Sequence, residues 1–598
     1  MLGRRRTPSA SPSADQRGPT AELIIDGLLL AAFAALLLCV DLWAWQAASP
    51  MPWSDESAHL AKLLDLQQTL QRNMDTSSWA HALFFSGDAY PNLGYAVGLP
   101  FLAVSKTIES ARASLLVFTL AHAGVAAVAG RLLWGRAGAW AYIFLACVTP
   151  ITLAYSNVYL IDVTLTATVG ISLILLERSD GFRRPLASMG FALAAACGLY
   201  AKWTWFVFLA VPLAVAAARA FYGSHRRWAV RLPLALGFIG TCGLACWLIL
   251  LMGESRYVSS YRAGSPQAWV PVASVLVGLV LATAWGAWGA WRSARAEPLR
   301  PLLNLSGAAA VILAIAAPWY ILVQEQLWGR LEHEETQWVM RGGNHMGQLH
   351  TALTTTKALV PFLELLLPTA LVIALLTKTG GWAFVSRLIG TALALGVLTA
   401  TLPYDTRYLL PLAPILAGAC VASWRGLPPR PRWVAAVGVC AVCILLSSWP
   451  TTGAWLPGKW SQEHSALSWT ANRLRIPLLT VPVASTTTTG TPMDAEAIRA
   501  LIDAVHEACD SSNCMGSYAP RVRGIQGRAL AVLVRYSDIH FSVQEPNSRE
   551  ANRGILSVKG FVPQHHGEHR ALALEPGELV WTSPGLAGAG ILEVHRAP

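Results

Sequence analysis

Charge is what this sequence has least of. Of 598 residues, only 13% are Asp, Glu, Lys or Arg, while 54% are hydrophobic. A soluble protein of this length carries about twice that charge fraction, so the soluble globular class is excluded. Acidic residues are the scarcer sign, 34 against 45 Lys and Arg, leaving a formal charge of +11. That excess does not describe a nucleic-acid partner. No basic stripe runs along a folded segment, and most arginines stand in short loops between apolar runs. Cysteine is sparse, 10 in all, and no spacing among them matches a zinc site. Most lie in or beside apolar runs, as Cys39, Cys147 and Cys242 do, and read as small core residues. Only Cys509 and Cys514 fall in a polar segment, where a disulfide and two free thiols both stay open. A cleavable leader is not evident and no internal repeat is seen. Residues 1–22, rich in Pro, Ser, Ala and Arg, read as a disordered cytoplasmic tail.

What the sequence has instead is apolar length. Its mean hydropathy is +0.44, and runs of about twenty apolar residues recur, the length that crosses a bilayer. The expected spans are roughly 23–45, 113–132, 138–155, 158–176, 187–201, 204–221, 232–251, 269–291, 303–323, 359–377, 386–402, 408–423 and 433–449. The fold expected is an all-α polytopic membrane protein of about thirteen helices over residues 23–450. The first run is read as a signal anchor that stays.

The charges orient this bundle. With Arg4, Arg5, Arg6 and Arg17 in the cytoplasm, every second loop carries the basic excess. Those loops hold Arg131/Arg136, Arg178/Arg183/Arg184, Arg226/Arg227/Arg231, Arg292/Arg295/Arg300, Lys378/Arg387 and Arg425/Arg430/Arg432. Such alternation fits the positive-inside rule and an inner-membrane protein with a cytoplasmic amino terminus. Trp43, Trp45, Trp134, Trp203 and Trp319 lie near span ends, as an interfacial aromatic belt would place them. Two outward segments are large, about 46–112 and 324–358. The first contains an amphipathic stretch whose Leu60, Leu63, Leu64 and Leu66/Leu70 suit one helical face, with Lys62, Asp65 and Gln68 elsewhere. A second stretch, YPNLGYAVGLPFLAVSKTI, is short and interrupted. Both suit helices lying in the membrane interface.

After residue 450 the pattern changes to short strand-like runs: LLTVPVAS, RALAVLVRY, IHFSV and ILSVKGF. One helix, MDAEAIRALIDAVHEAC, follows the turn TGTP. Residues 451–598 therefore read as a small extracytoplasmic α/β domain.

The most informative chemistry is Asp55–Glu56 in Trp53-Ser54-Asp55-Glu56-Ser57-Ala58-His59, just outside the first span. A solvated loop or a helix cap would also place acids there. Three further pieces stand at outward span ends: Tyr159-Leu160-Ile161-Asp162, Gly198-Leu199-Tyr200-Ala201-Lys202 and Arg407-Tyr408-Leu409-Leu410-Pro411-Leu412. In order and placement these resemble the GT-C glycosyltransferases, more narrowly the branch of protein O-mannosyltransferases and lipid A aminoarabinose transferases. The resemblance covers roughly residues 23–450. It implies a polyprenyl-phosphate sugar donor, an extracytoplasmic hydroxyl acceptor (protein, lipid or glycan) and inversion at the anomeric carbon.

On that reading, Asp55 takes the proton from the attacking hydroxyl. Glu56 is its companion, and Asp162 is a second acid shaping the site. Lys202 and Arg407, with Tyr408, stabilise the departing phosphate, and His59 reaches the same cavity. Each has a plainer alternative. Asp162 can cap a helix, Lys202 can snorkel to headgroups, Arg407 can pair with Asp405, and His59 can be an interfacial histidine. His333, His345 and His350, among Glu332, Glu334 and Glu335, are the weak candidates for a divalent metal. Their spacing repeats no ligand pattern, and an acidic loop covering the site is the plainer reading. No other cofactor is expected. Two alternatives of other classes remain open. One is a polytopic transporter or lipid-glycan flippase, which calls for midplane charges and symmetric halves. The other is an O-antigen polymerase or ligase, against which the Asp55–Glu56 pair argues.

Overall fold

The computed structural model describes residues 19–47, 54–72, 90–156, 158–224, 300–340, 352–353, 359–360, 363–377, 379, 381–401, 406–448, 495–508, 513–519, 540–544, 553–560, 578–582 and 591–596. The expected spans at 232–251 and 269–291 lie outside these residues. Through residue 448 the described chain is helical. Helix α1 is Pro19–Ala47, α2 Ser54–Arg72, α3 Leu93–Val104 and α4 Ile108–Val125. Next come α5 (Arg131–Cys147), α6 (Pro150–Ser156), α7 (Ile161–Arg178), α8 (Pro185–Ala201) and α9 (Trp205–Ser224). They are followed by α10 (Arg300–Met340), α11 (Leu363–Thr377), α12 (Gly381–Thr401), α13 (Leu412–Val421) and α14 (Pro429–Ser448). Among the described residues, Ile108–Cys147, Arg300–Ala317 and Gly381–Leu398 are long and apolar enough to cross a membrane.

Local chemistry sets the helix ends. Thr107 caps α4, its hydroxyl accepting from the Ser110 N–H at 3.2 Å, which satisfies one of the orphan amides of a first turn. Pro185 opens α8, where a missing N–H costs nothing. A π-helical turn, Ala126–Gly130, separates α4 from α5, and the chain then bends at Gly135 with φ +76°, a backbone region that a side chain strains. This bend falls where the sequence pattern separates its second and third spans.

Helix α7 is the axis of the bundle. Fourteen of its side chains are buried, from Ile161 to Leu176, and α4, α8, α9 and α13 pack on it. In α2 the expected apolar face is buried as read: Leu60, Leu63, Leu64, Leu66 and Leu70 are covered. The cover is protein, since α2 packs on α3. Gly98 of α3 permits this approach, because a Cβ there would meet Tyr159 Oη at 2.9 Å and Leu63 Cδ2 at 3.0 Å.

Three expectations shift. Helix α10 runs 41 residues without a break, so residues 324–340 continue a span that the pattern ends at 323. At about 1.5 Å per residue it is far longer than the hydrocarbon core. The segment expected to span at 408–423 is broken: a 3₁₀ turn (Thr406–Leu409), then the ten-residue α13, then another 3₁₀ turn (Trp424–Gly426). Every residue of α13 is buried. Arg387, expected in a basic loop, lies inside α12 at 0% exposure. Its Nε donates to Glu177 Oε1 at 2.6 Å, its Nη1 donates to the carbonyls of Ile415 (3.3 Å) and Pro414 (3.4 Å), and its guanidinium stands 5.5 Å from the Trp134 ring centre. Gly418 makes the room, since any Cβ there would collide with the guanidinium.

Several of the arginines of these basic stretches are engaged at one end of the helices. Asp26 of α1 accepts from Arg131 at 3.0 Å and from Arg136 at 2.6 Å, and Arg425 donates to the Leu132 carbonyl at 3.2 Å. The turn between α7 and α8 holds Asp180, Gly181 and Phe182 all at positive φ, tied by Arg219 to Asp180 at 2.8 Å.

The carboxy-terminal segment is α/β. Helix α15 (Ala495–Ala508) buries Leu501, Ala504, Val505 and Ala508, the i, i+3, i+4, i+7 face of an amphipathic helix. It packs on a five-stranded mixed sheet. The strands are β1 (Asn513–Ala519), β2 (His540–Gln544), β3 (Arg553–Gly560), β4 (Glu578–Thr582) and β5 (Ile591–Arg596), in the order β2-β1-β3-β5-β4. IHFSV and ILSVKGF match β2 and β3. The other two expected strands lie outside the described residues, as does Cys509, while Cys514 is in β1. Strands β1, β4 and β5 were not expected; Asn513-Cys514-Met515-Gly516-Ser517 has a glycine and no apolar alternation to announce it.

A fully buried arginine that loses its partner leaves an uncompensated charge. Glu177→Gln, which strands Arg387, is expected to destabilise the protein by about 3–5 kcal/mol, measured by unfolding in detergent. The double variant Arg387→Met/Glu177→Gln recovers most of the loss. A single variant as stable as the wild type would contradict the assignment.

Candidate functional site

The candidate residues of four separate sequence segments converge. Asp55 is the second residue of α2, and Glu56, beside it, points into protein at 1% exposure. Glu56 Oε1 accepts from Arg112 Nε at 2.7 Å, and Oε2 accepts from Arg112 Nη2 at 2.8 Å. The Tyr159 backbone N–H donates to Oε1 at 2.8 Å. A bidentate, charge-assisted pair with a third donor is a strong and directional contact. It ties the start of α2 to α4 and to the chain entering α7. Glu56 is thus engaged on both oxygens by groups of the protein itself, which suits a positioning residue better than a second base.

Two more contacts fix α2 against α3. His59 Nδ1 lies 2.6 Å from Tyr95 Oη, with the Tyr90 ring edge-on at 5.6 Å. Lys62 Nζ donates to the Tyr90 carbonyl at 2.8 Å and stands 4.7 Å from the Tyr95 ring centre. Tyr159 Oη donates to the Gly94 carbonyl at 3.1 Å, closing the ring of helices around the start of α2.

In the first turn of α7, Asp162 is 1% exposed. Its Oδ1 accepts from Lys202 Nζ at 2.7 Å. Lys202 follows α8 with extended φ and ψ of −162° and 139°, so the helix ends where its side chain must turn inward. Lys202 Nζ also stands 4.8 Å from the centre of the Tyr408 ring, and Arg407 Cζ stands 5.0 Å from it. Arg407 Nη2 donates to Tyr408 Oη at 3.2 Å. Two cations thus share one aromatic ring, a favourable arrangement, against one carboxylate. The Tyr159 amide that holds Glu56 lies three residues before Asp162 on the same chain segment, which joins this group to the Glu56 group.

Six of the seven outward residues read from the sequence are therefore in one neighbourhood: Glu56, His59, Asp162, Lys202, Arg407 and Tyr408. For Asp55 the placement is that of its backbone, at the head of α2. Lys202 does not snorkel; it is buried and ion-paired. Asp405, the alternative partner of Arg407, lies outside the described residues. So do His345 and His350; His333 is carried by α10. Among the described residues, no group of three His, Cys, Asp or Glu side chains is arranged to hold a metal ion. Sequence reasoning missed Arg112 and Tyr95. A lone arginine ahead of an apolar run reads as an interfacial anchor, and only the three-dimensional partner reveals its task.

No family model and no curated protein matches this chain. Among solved structures it is similar to the crystal structure of ArnT from Cupriavidus metallidurans in the apo state, at 15% identity and a TM-score of 0.25, over 66% of this chain and 77% of that one. It is also similar to the crystal structure of ArnT from Cupriavidus metallidurans bound to undecaprenyl phosphate, at 16% identity and a TM-score of 0.26, over 65% and 78%. Likeness at this level decides neither the fold nor the chemistry.

If Asp162 and Lys202 hold each other, their losses are not additive. Asp162→Asn and Lys202→Met should each destabilise the protein, and the double variant by less than the sum, with a coupling of about 0.5–3 kcal/mol. Unfolding of the four proteins in detergent measures it, and strict additivity would refute the pairing.

Proposed function

We propose that this chain is a membrane glycosyltransferase of the GT-C type. It moves a monosaccharide from a polyprenyl-phosphate donor to an extracytoplasmic hydroxyl on a protein, lipid or glycan. In this reading the chain crosses the inner membrane about thirteen times, with its amino terminus in the cytoplasm and residues 451–598 outside.

The reaction forms a bond between the acceptor oxygen and the anomeric carbon. It breaks the bond from that carbon to the phosphate oxygen, which leaves with the electron pair on the lipid phosphate. Asp55 accepts the hydroxyl proton as attack proceeds, a role worth about 10²–10⁴ in rate. Lys202 and Arg407 meet the charge that grows on the phosphate. Asp162 holds Lys202 in place, and Tyr408 stands between the two cations. Glu56, clasped by Arg112, fixes the backbone from which Asp55 extends. His59 fits the cavity wall through Tyr95. No metal is assigned a role.

The observation that carries this reading is convergence. Residues near 56, 162, 202 and 407 are far apart in sequence, yet contact one another at the same end of the bundle. A solvated loop, a helix cap and a snorkelling lysine would have no reason to meet. The transporter alternative asks for ionisable groups at mid-membrane. The buried Glu177–Arg387 pair does not supply them, because Glu177 is in the last turn of α7.

The test is glycan and lipid analysis of a strain lacking the gene, complemented with wild-type chain or with Asp55→Asn. Deletion is expected to remove one sugar modification, and Asp55→Asn at normal expression to leave it absent. Full restoration by Asp55→Asn would remove Asp55 as the base. A deletion strain with unchanged glycans and lipids would remove the transferase reading.

A further inference from the structure

The opposite end of the bundle has a cavity that the transferase chemistry does not use. It measures 410 Å³ and is lined by Glu177, Arg219, Thr379, Trp382, Ser386 and Arg425, among others. These come from α7, α9, α12 and the turns flanking α11 and α13, so the cavity is a junction of separate helix ends. Two arginines open into it, and the buried Arg387 stands behind its Glu177 wall. Glu177 is the acidic residue in the lining, and Asp180 nearby is engaged by Arg219 and Arg183. The site therefore keeps an excess of positive charge.

Two further features give the ligand its shape. Trp382 lines the cavity and is also 72% exposed. From it an exposed stripe continues along one face of α12, through Val385, Ile389 and Leu393. The polar recess thus opens directly onto an apolar helical face about 17 Å long, about the depth of one leaflet. At the rim, Gly181 sits in the turn whose neighbours Asp180 and Phe182 both hold positive φ. Non-glycine residues pay for that conformation and are retained at sites that need it.

We propose that this cavity binds the phosphate headgroup of an anionic phospholipid, with the acyl chains lying along the Trp382–Leu393 face of α12. Phosphate oxygens suit the forked donors of arginine, and basic recesses between helix ends at the cytoplasmic face are where anionic headgroups are held. The Thr379 and Ser386 hydroxyls supply neutral donors for the remaining oxygens. The site is independent of the transferase reading and can fail without it.

The experiment uses the full chain purified in detergent, equilibrated with phosphatidylcholine and phosphatidylglycerol and examined by native mass spectrometry. The variants are Arg219→Gln/Arg425→Gln, Trp382→Ala, and Lys106→Gln as a charge control at the other end. The wild type and Lys106→Gln are expected to retain phosphatidylglycerol over phosphatidylcholine. The double arginine variant should lose that preference by about tenfold, and Trp382→Ala should weaken retention of both lipids. Equal retention by wild type and the double variant would overturn the proposal. So would displacement of bound phosphatidylglycerol by millimolar inorganic phosphate, which would mark the site as one for free phosphate.

Discussion

Two charges buried together at the head of α2 are the constraint on which the outward site rests. Glu56 and Arg112 have left water almost completely, and burying either charge alone would be costly. Their attraction adds little net stability over an apolar pair, but losing one partner is expensive. What the pair supplies is geometry. Two parallel bonds to Arg112 and a third from the Tyr159 amide allow one orientation of the first turn of α2. Asp55 immediately precedes Glu56 in that turn, so its backbone is fixed with it. The leucine face of α2 holds the rest of the helix down, and Gly98 lets that face come close.

The same logic recurs at both ends of the bundle. Outward, Asp162 and Lys202 are buried as a pair and Tyr408 lies against the cation. At the other end, Asp26 takes two arginines, and Glu177 holds Arg387 beneath the ring of Trp134. Charges that the membrane would reject are tolerated because each has partners. The two ends differ in balance. The Asp162 cluster sets two cations against one carboxylate around the Tyr408 ring. The other end gathers arginines around Asp26 and Glu177.

Much of this was legible in the chain. Apolar length located α1, α7, α8, α9, α12 and α14, and period placed the buried leucines of α2 and the buried face of α15. The outward motifs named residues that do come together. What the sequence could not carry was pairing. Glu56 reads as a second catalytic acid until Arg112, half a hundred residues on, is seen to hold both of its oxygens. Arg387 reads as a loop charge until Gly418 is seen to leave its guanidinium a space. The break around α13 is invisible to hydropathy, because a buried short helix with flanking turns is as apolar as a span. Strand β1 lacks alternation and is fixed by its neighbours in the sheet, and β4 and β5 are too short to stand out.

The central claim is that the Arg112–Glu56 clasp orders the head of α2. Hydrogen–deuterium exchange of the purified chain in detergent tests it directly, comparing wild type with Arg112→Met across residues 54–63 and across α12. Loss of protection confined to residues 54–63 is the outcome the clasp requires. Unchanged exchange there, in a variant that is otherwise folded, would contradict it.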